Sequence, residues 1–106
     1  MSPTERDRHL HYAASKTRLE SLRAVFSVGI KADVYSTLFD DFLSNREFGL
    51  ALEVLCDFLL EPDVRPVSEL ELNEIASLHA LMEMEDQCFL RLRKKRQDHE
   101  NAHEHQ

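Results

Sequence analysis

Hydrophobic side chains recur every three or four positions along most of the chain, a spacing that places them on one face of an α-helix. The first pattern covers about residues 4–26, with inward positions at Tyr12, Ser15, Leu19, Leu22 and Phe26. Gly29 then interrupts the pattern and suits the left-handed conformation that ends many helices. We therefore predict a first helix that ends shortly before this glycine.

A second pattern follows Asp33, which is a suitable N-cap residue. Its hydrophobic stripe extends to about residue 44 and consists of Val34, Tyr35, Leu38, Phe39, Phe42 and Leu43. Asp40 and Asp41 fall outside this stripe. The next residue, Asn45, tolerates a left-handed backbone and is predicted to turn the chain.

The stretch EFGLALEVLCDFLLE, residues 47–61, carries ten hydrophobic residues in fifteen. On a helical wheel the inward cluster is formed by Phe48, Leu52, Leu55 and Leu59. Only a narrow sector can face water, and it holds Leu50, Glu53, Asp57 and Glu61. A helix that is apolar around most of its circumference is predicted to lie at the centre of a bundle. Gly49 suggests that a neighbouring element approaches closely, because glycine is otherwise unfavourable inside a helix.

A fourth helix is predicted to begin at Ser68, which forms a capping box with Glu71. The pattern weakens after Met84, although Cys88 could carry the same helix further. Residues 97–106 are polar and are predicted to be frayed or disordered. The expected architecture is an all-α bundle of about four helices, with one domain over residues 1–96 and a polar C-terminal extension over 97–106.

Charge is distributed unevenly. The net charge is −7, yet residues 28–90 hold fourteen acids against Lys31, Arg46 and Arg65, a local net charge of −11. Direct nucleic-acid binding needs the opposite sign, because phosphate contacts dominate that affinity. A protein partner with a basic surface is therefore expected. Direct binding to nucleic acid or to a membrane is not expected.

The two cysteines, Cys56 and Cys88, are far apart and have no second pair, so neither a zinc site nor a disulfide is expected. The charged N-terminus lacks an export signal, and no hydrophobic run reaches the roughly 18 residues of a membrane span. We expect a reduced cytoplasmic protein in which both cysteines act as small hydrophobes.

No catalytic motif or cofactor-binding loop is present, so an enzyme is not predicted. His79 borders the inner face of the fourth helix and is expected to be a core histidine rather than a catalytic base. Histidines at 99, 103 and 105 could gather a metal only if the extension were helical, and a solvated tail without metal is expected instead.

The segment Asn45–Leu78 resembles the core of the MafI family of immunity proteins. The family pattern is a short turn, then an acid, an aromatic residue, Gly-Leu-Ala-Leu-Glu, a further Leu and a closing Leu-x-Glu. Here it falls on Glu47, Phe48, Gly49, Leu50, Ala51, Leu52, Glu53, Leu55, Leu59 and Glu61. The glycine usual in the turn is Asn45 in this chain, and the segment after Met84 lies outside the pattern.

Such immunity proteins neutralise secreted or contact-delivered bacterial toxins in the cell that produces them. The resemblance implies that the partner is the C-terminal domain of a toxin, often a nuclease, with an EndoU-type RNase favoured. A basic nuclease cleft could accept an acidic protein in place of RNA. The predicted partner-binding residues are Asp40, Asp41, Glu47, Leu50, Glu53, Asp57, Glu61 and Asp63.

Other interpretations stay open. The acids could be only the solvated edge of a core helix, as most exposed charges are. The chain could instead be a helical adaptor that binds a peptide or subunit, and the stripe beyond Met84 could support a homodimer. An adaptor predicts an exposed hydrophobic groove, whereas an inhibitor predicts an acidic, groove-free face with a few hydrophobic anchors.

Overall fold

The computed structural model describes residues 13–84 and 88–104. Within these ranges the chain forms five α-helices, one 3-10 helix and no β-strand. Helix α1 covers residues 13–21, and it is followed by the 3-10 helix Arg23–Ser27, α2 Ala32–Ser44, α3 Phe48–Leu59, α4 Glu69–Leu81 and α5 Cys88–Glu104. The predicted all-α class is confirmed, and the segment after Met84 forms a separate helix rather than a continuation of the fourth.

Helix α3 forms the centre of the fold, as its hydrophobic pattern predicts. Leu52 and Leu55 expose none of their surface, and Phe48 and Leu59 expose 5% and 1%. Complete burial of each such side chain contributes roughly 1.5–3 kcal/mol. α3 packs mainly against α2 and also contacts α5.

Helices α2 and α3 run antiparallel. Tyr35, near the start of α2, lies against Phe58, near the end of α3, with 5.7 Å between the ring centroids. Phe26 of the 3-10 helix joins the same cluster and lies 4.9 Å from the Phe58 ring and 5.2 Å from Phe39. This aromatic cluster fixes the α2–α3 pair against the N-terminal part of the fold.

The predicted capping box of α4 is present. The Glu71 N–H donates to Ser68 Oγ at 3.1 Å, and Glu71 Oε1 accepts from the Ser68 N–H at 2.9 Å. Arg65 adds two hydrogen bonds of 2.9 Å to the same carboxylate. At the other side of α4, Arg18 of α1 donates to Glu74 and to Ser77 Oγ. These contacts set the position of α4.

Three details of the turns differ from the sequence predictions. α2 begins at Ala32, so Asp33 lies in its first turn and is not the N-cap. The left-handed residue after α2 is Arg46, with φ of 59°, and not Asn45, which is the C-cap of the helix at φ of −91°. A neighbouring side chain approaches closely at Gly29, and not at Gly49 as the sequence predicted.

Gly29 has a φ of +145°, and a Cβ built on it would lie 3.0 Å from the Phe58 ring. A Cβ built on Gly49 would meet nothing within 4 Å. Gly49, the second residue of α3, is therefore not required for packing, whereas Gly29, before α2, is required.

The predicted disordered extension is wrong up to residue 104, because α5 continues through Glu104. Arg, Lys, Gln and Glu are good helix formers, and Arg96 pairs with Glu100 one turn later at 3.0 Å. Cys88 and Leu92 anchor the first half of α5 in the core, whereas residues 97–102 are exposed. In the part of the chain that the structure describes, no helix is long and apolar enough to cross a membrane.

Candidate partner-binding surface

The outer sides of the paired helices α2 and α3 carry exposed side chains of mixed acidic and hydrophobic character. They include positions 34, 38 and 41 of α2 and positions 50, 53 and 57 of α3, each set spaced by three or four residues. Val34, Leu38 and Leu50 expose 62%, 42% and 44% of their surface. We call the set Val34, Leu38, Asp41, Leu50, Glu53 and Asp57 the α2–α3 face.

Four of the predicted acids lack a hydrogen-bonding or ion-pair partner for their side chains among the described residues. Within the described residues, the side chains of Asp41, Glu47, Glu53 and Asp57 form no hydrogen bond and no ion pair. Asp41, Glu47 and Asp57 are exposed, and Glu53 is half-buried. These four are the unpaired acids, and three of them lie on the α2–α3 face beside the exposed Leu50.

Asp40 does not belong to this group, because it binds Arg23. Arg23 Nε and Nη2 donate to its two carboxylate oxygens at 3.0 and 2.8 Å. The hydrogen bond from Arg23 holds the pKa of Asp40 below its usual range, with a smaller contribution from the charge of Arg23. Asp40 thus ties α2 to the 3-10 helix, on the side of α2 away from α3.

Glu61 is also engaged within the protein. Tyr35 Oη donates to Glu61 Oε1 at 2.7 Å, and Lys31 Nζ lies 3.6 Å from the same oxygen. The side chain of Glu61 is 20% exposed. This hydrogen bond is the main reason why the pKa of Tyr35 is raised, with burial next. Glu61 therefore joins the start of α2 to the end of α3.

The negative end of the α3 dipole is compensated by Lys95 of α5. Lys95 Nζ donates to the carbonyl oxygens of Leu59, Glu61 and Val64 at 2.7, 2.9 and 2.7 Å. Burial lowers the pKa of Lys95, and the charges of Asp63 and Glu61 oppose that effect. An acid at this helix end is therefore tolerated without an external partner.

Asp63 completes the group of paired acids, which consists of Asp40, Glu61 and Asp63. Its Oδ2 accepts the backbone N–H of Ile30 at 2.8 Å. This contact holds the segment before α2 against the turn after α3. Of the eight predicted partner-binding residues, the structure thus uses three acids for internal contacts and leaves Leu50 and the four unpaired acids available.

A cleft of about 440 Å³ lies beside α2 and is lined by Lys16, Glu20, Arg23, Asp40, Leu43 and Ser44. Five of these six residues are polar or charged.

An exposed hydrophobic segment precedes the α2–α3 face and was missed by sequence reasoning. Val28 and Ile30 expose 75% and 87% of their surface in the connection between the 3-10 helix and α2. Both flank Gly29, within a segment interpreted only as a helix break. The sequence does carry a signal of this exposure. Val28 and Ile30 are β-branched residues in a short break between helices, and such a break can bury few side chains.

The expectation of two separate, reduced cysteines is wrong. Cys56 of α3 and Cys88 of α5 form a disulfide, with their Cα atoms 6.4 Å apart. The 32 positions that separate them include α4, which returns the chain and brings α5 against α3. Sequence spacing could not show this proximity, because it depends on tertiary packing. His79 of α4 is 3% exposed and lies at the same place, which confirms its predicted core position.

Comparison with family models, with curated proteins and with solved structures finds no match to this chain.

Proposed function

We propose that this protein is an immunity protein that binds the C-terminal nuclease domain of a bacterial toxin and blocks it through the α2–α3 face. The observation that carries the proposal is the cluster of unpaired acids beside exposed leucines. Asp41, Glu53 and Asp57 keep their charge free for an external partner, and Leu38 and Leu50 offer hydrophobic contact among them.

The charge of the surrounding chain supports a basic partner. Residues 28–90 carry a net charge of −11, and uncompensated charge of one sign destabilises a folded chain. Its common benefit is faster association with a surface of opposite charge. A nuclease that grips RNA carries such a surface in its cleft, because phosphate contacts dominate RNA affinity. An acidic helical face can occupy that cleft, with an EndoU-type RNase as the favoured class.

Exposed leucines beside the acids fit an inhibitor interface. The buried centre of a protein interface is more hydrophobic than its polar rim, and Leu50 is the candidate residue for that centre. It is 44% exposed on a helix whose other leucines in the central cluster are buried. The family resemblance of residues 45–78 adds the toxin–immunity context to this physical argument, and it fits a protein that acts by binding and not by catalysis.

A helical adaptor is the second candidate, and one observation favours it. Val28, Ile30 and Val34 are exposed in a short segment, and contiguous exposed hydrophobic surface is typical of protein-binding sites. An adaptor would use this hydrophobic segment, whereas the inhibitor would depend on the acids. Ile30→Glu, which lies outside the α2–α3 face, and Asp57→Lys therefore separate the two functions when the binding partner is held constant.

The proposal is tested with the toxin domain encoded beside the gene. The domain is expressed in bacteria with and without this chain, and colony survival and complex formation are measured. Survival and a complex that dissociates with added salt are expected, since surface charge pairs are screened over roughly 8–10 Å at physiological ionic strength. The absence of a neighbouring toxin frame, or of both protection and complex, would contradict the proposal.

A further inference from the structure

Three potential metal ligands converge in the core, where three helices meet. Cys56 of α3, His79 of α4 and Cys88 of α5 place their ligand atoms within 4.8 Å of one another. The cysteines are 0% and 1% exposed and the histidine 3%. The proposed immunity function depends on the α2–α3 face and makes no use of this site.

The hydrogen bonds of His79 determine which ring nitrogen carries the proton. Nδ1 lies 2.9 Å from the carbonyl oxygen of Ile75. A carbonyl can only accept, so Nδ1 is the donor and Nε2 of the neutral ring has a free lone pair. That lone pair faces Cys88 Sγ at 3.4 Å. A disulfide sulfur carries no proton, so it does not donate to this lone pair.

We propose that, when Cys56 and Cys88 are reduced, their thiolates and His79 Nε2 bind one thiophilic d¹⁰ cation, Zn²⁺ or Cu⁺. Thiolate and imidazole are the ligands that these ions prefer. A metal-bound histidine usually donates its other N–H to a backbone carbonyl or a carboxylate, as His79 donates to Ile75. The cation gives the Nε2 lone pair the partner that the disulfide cannot supply.

The spacing of the ligand atoms fits such an ion. Zn–S bonds of about 2.3 Å and Zn–N bonds of about 2.0–2.1 Å at tetrahedral angles separate sulfur from nitrogen by about 3.5 Å. The separation of Cys88 Sγ from His79 Nε2 is 3.4 Å. The two sulfurs must separate to about 3.8 Å, and Cys56 Sγ, which lies within 4.8 Å of the other two ligand atoms, must come to about 3.5 Å from Nε2 by the same geometry. The ligands come from three different helices, so the ion would join α3, α4 and α5 as the disulfide joins α3 and α5.

Charge and ligand number distinguish the two ions. Two thiolates and Zn²⁺ sum to zero, which suits a buried site, but zinc needs a fourth ligand from outside this set. Cu⁺ is satisfied by three soft ligands, and its complex carries one negative charge. The test below therefore titrates the reduced chain with each ion separately.

Metal binding requires prior reduction of the disulfide. A phosphine reductant attacks one sulfur, breaks the S–S bond and releases the other sulfur as a thiolate. Water then displaces the attached sulfur from phosphorus, which gives the second thiol and the phosphine oxide. The disulfide gains two electrons and the phosphine loses two. Both thiols release their protons to the buffer when the cation binds.

The experiment compares the reduced and oxidised full-length chain. The chain is reduced with the phosphine in denaturant, refolded without oxygen and titrated with Zn²⁺, with Cu⁺ or with Co²⁺ as a spectroscopic probe. One equivalent is expected to bind the reduced chain, with a thiolate-to-Co²⁺ charge-transfer band and a raised Tm. The oxidised chain, which has no thiolate, should show neither the band nor the rise.

Single substitutions identify the ligands. Cys56→Ser, Cys88→Ser and His79→Gln should each weaken affinity by more than about 100-fold, since loss of an outer-shell partner alone costs roughly 10–100-fold. Each variant is first checked for helical circular dichroism, and the measurement on reduced wild-type chain stands if one of them fails to fold. The control His99→Ala should keep the thiolate band. Absence of the band and of any Tm rise with all three ions would overturn the proposal, as would full affinity in a folded Cys88→Ser chain.

Discussion

The α2–α3 face and the C-terminal end of α3 are both rich in acids, yet they use them differently. At the end of α3, Glu61 and Asp63 are held by Tyr35, Lys31 and the Ile30 N–H. On the face, Asp41, Glu53 and Asp57 have no ion pair within the described residues. The acids at positions 53, 57 and 61 are equally spaced, but Glu61, which lies just after α3, is bound within the fold, whereas Glu53 and Asp57 of α3 have no ion pair among the described residues.

The spacing of acids along a helix therefore does not identify a binding surface. What separates Glu61 from Asp57 is the arrival of side chains from distant parts of the chain. A charge that already has a partner contributes little to steering or specificity, because part of its field is cancelled. The paired acids are therefore expected to affect stability, and the unpaired acids to affect binding. The following predictions test that division, beginning with the largest expected effect on stability.

Stability should be most sensitive to substitution in the core that lies beneath both regions. Leu55→Ala is expected to lower the free energy of unfolding by about 2–5 kcal/mol, because Leu55 is completely buried at the centre of α3. Chemical denaturation followed by circular dichroism measures the change. Leu50→Ala is the matched control on the same helix and should cost much less. A loss below about 1 kcal/mol for Leu55→Ala would mean that the core lies elsewhere.

The end of α3 should depend on Lys95. Lys95→Met is expected to cost about 1–3 kcal/mol, because it leaves three carbonyl groups without their donor. Lys94→Met, at the exposed neighbouring position, is the control and should stay within about 0.5 kcal/mol of wild type. Equal stability of the two variants would show that Lys95 does not compensate the helix end.

An acid with a partner inside the protein should make stability depend on pH. Glu71 of α4, outside the group of paired acids, has such a partner, and its hydrogen bond from Arg65 holds its pKa below the ordinary value of 4.5. A carboxyl whose pKa is lower in the folded state stabilises the fold above its unfolded pKa, and this contribution disappears as pH falls through the folded pKa. Glu71→Gln should therefore lose about 1 kcal/mol at pH 7, typical for a capping residue, and approach wild type in acid.

Denaturation curves from pH 7 down to pH 2 measure this difference. Glu53→Gln is the control from the unpaired acids and should follow wild type at every pH. A constant gap between Glu71→Gln and wild type across the range would contradict an electrostatic origin for the effect.

The exposed end of α5 should contribute least. Truncation after Arg96 is expected to change the free energy of unfolding by less than about 0.5 kcal/mol, because residues 97–102 are exposed. Truncation after Leu90 is the contrasting variant, since it removes the buried Leu92 and the Lys95 contacts. Loss of cooperative melting after the shorter deletion would show that this end docks onto the acidic body.

Periodicity was sufficient to predict the helical class and the core. The α3 pattern identified Phe48, Leu52, Leu55 and Leu59, and the Ser68–Glu71 spacing identified the start of α4, because both signals are local. α5 escaped prediction as a separate helix because its second half is stabilised by propensity and an i,i+4 pair and not by burial.

The candidate site could be predicted only in part. Sequence placed acids on α2 and α3, but not which of them have partners, since Arg23, Ile30 and Lys95 reach these acids from other elements. The Cys56–Cys88 contact was missed for the same reason. It depends on the packing of α5 against α3, which no local pattern encodes.

The division between paired and unpaired acids is tested most directly by toxin affinity of charge-reversed variants. Glu53→Lys and Asp57→Lys are measured at low and physiological salt against the toxin domain proposed as the partner, each after an unchanged melt is established. Both substitutions are expected to weaken affinity for this domain by about tenfold or more, because these acids act through charge. The loss should be smaller at higher salt. Asp98→Lys, an equal charge change on exposed α5, should bind as wild type does. Wild-type affinity in both α3 variants, without salt dependence, would contradict the account and direct attention to α1 or α4.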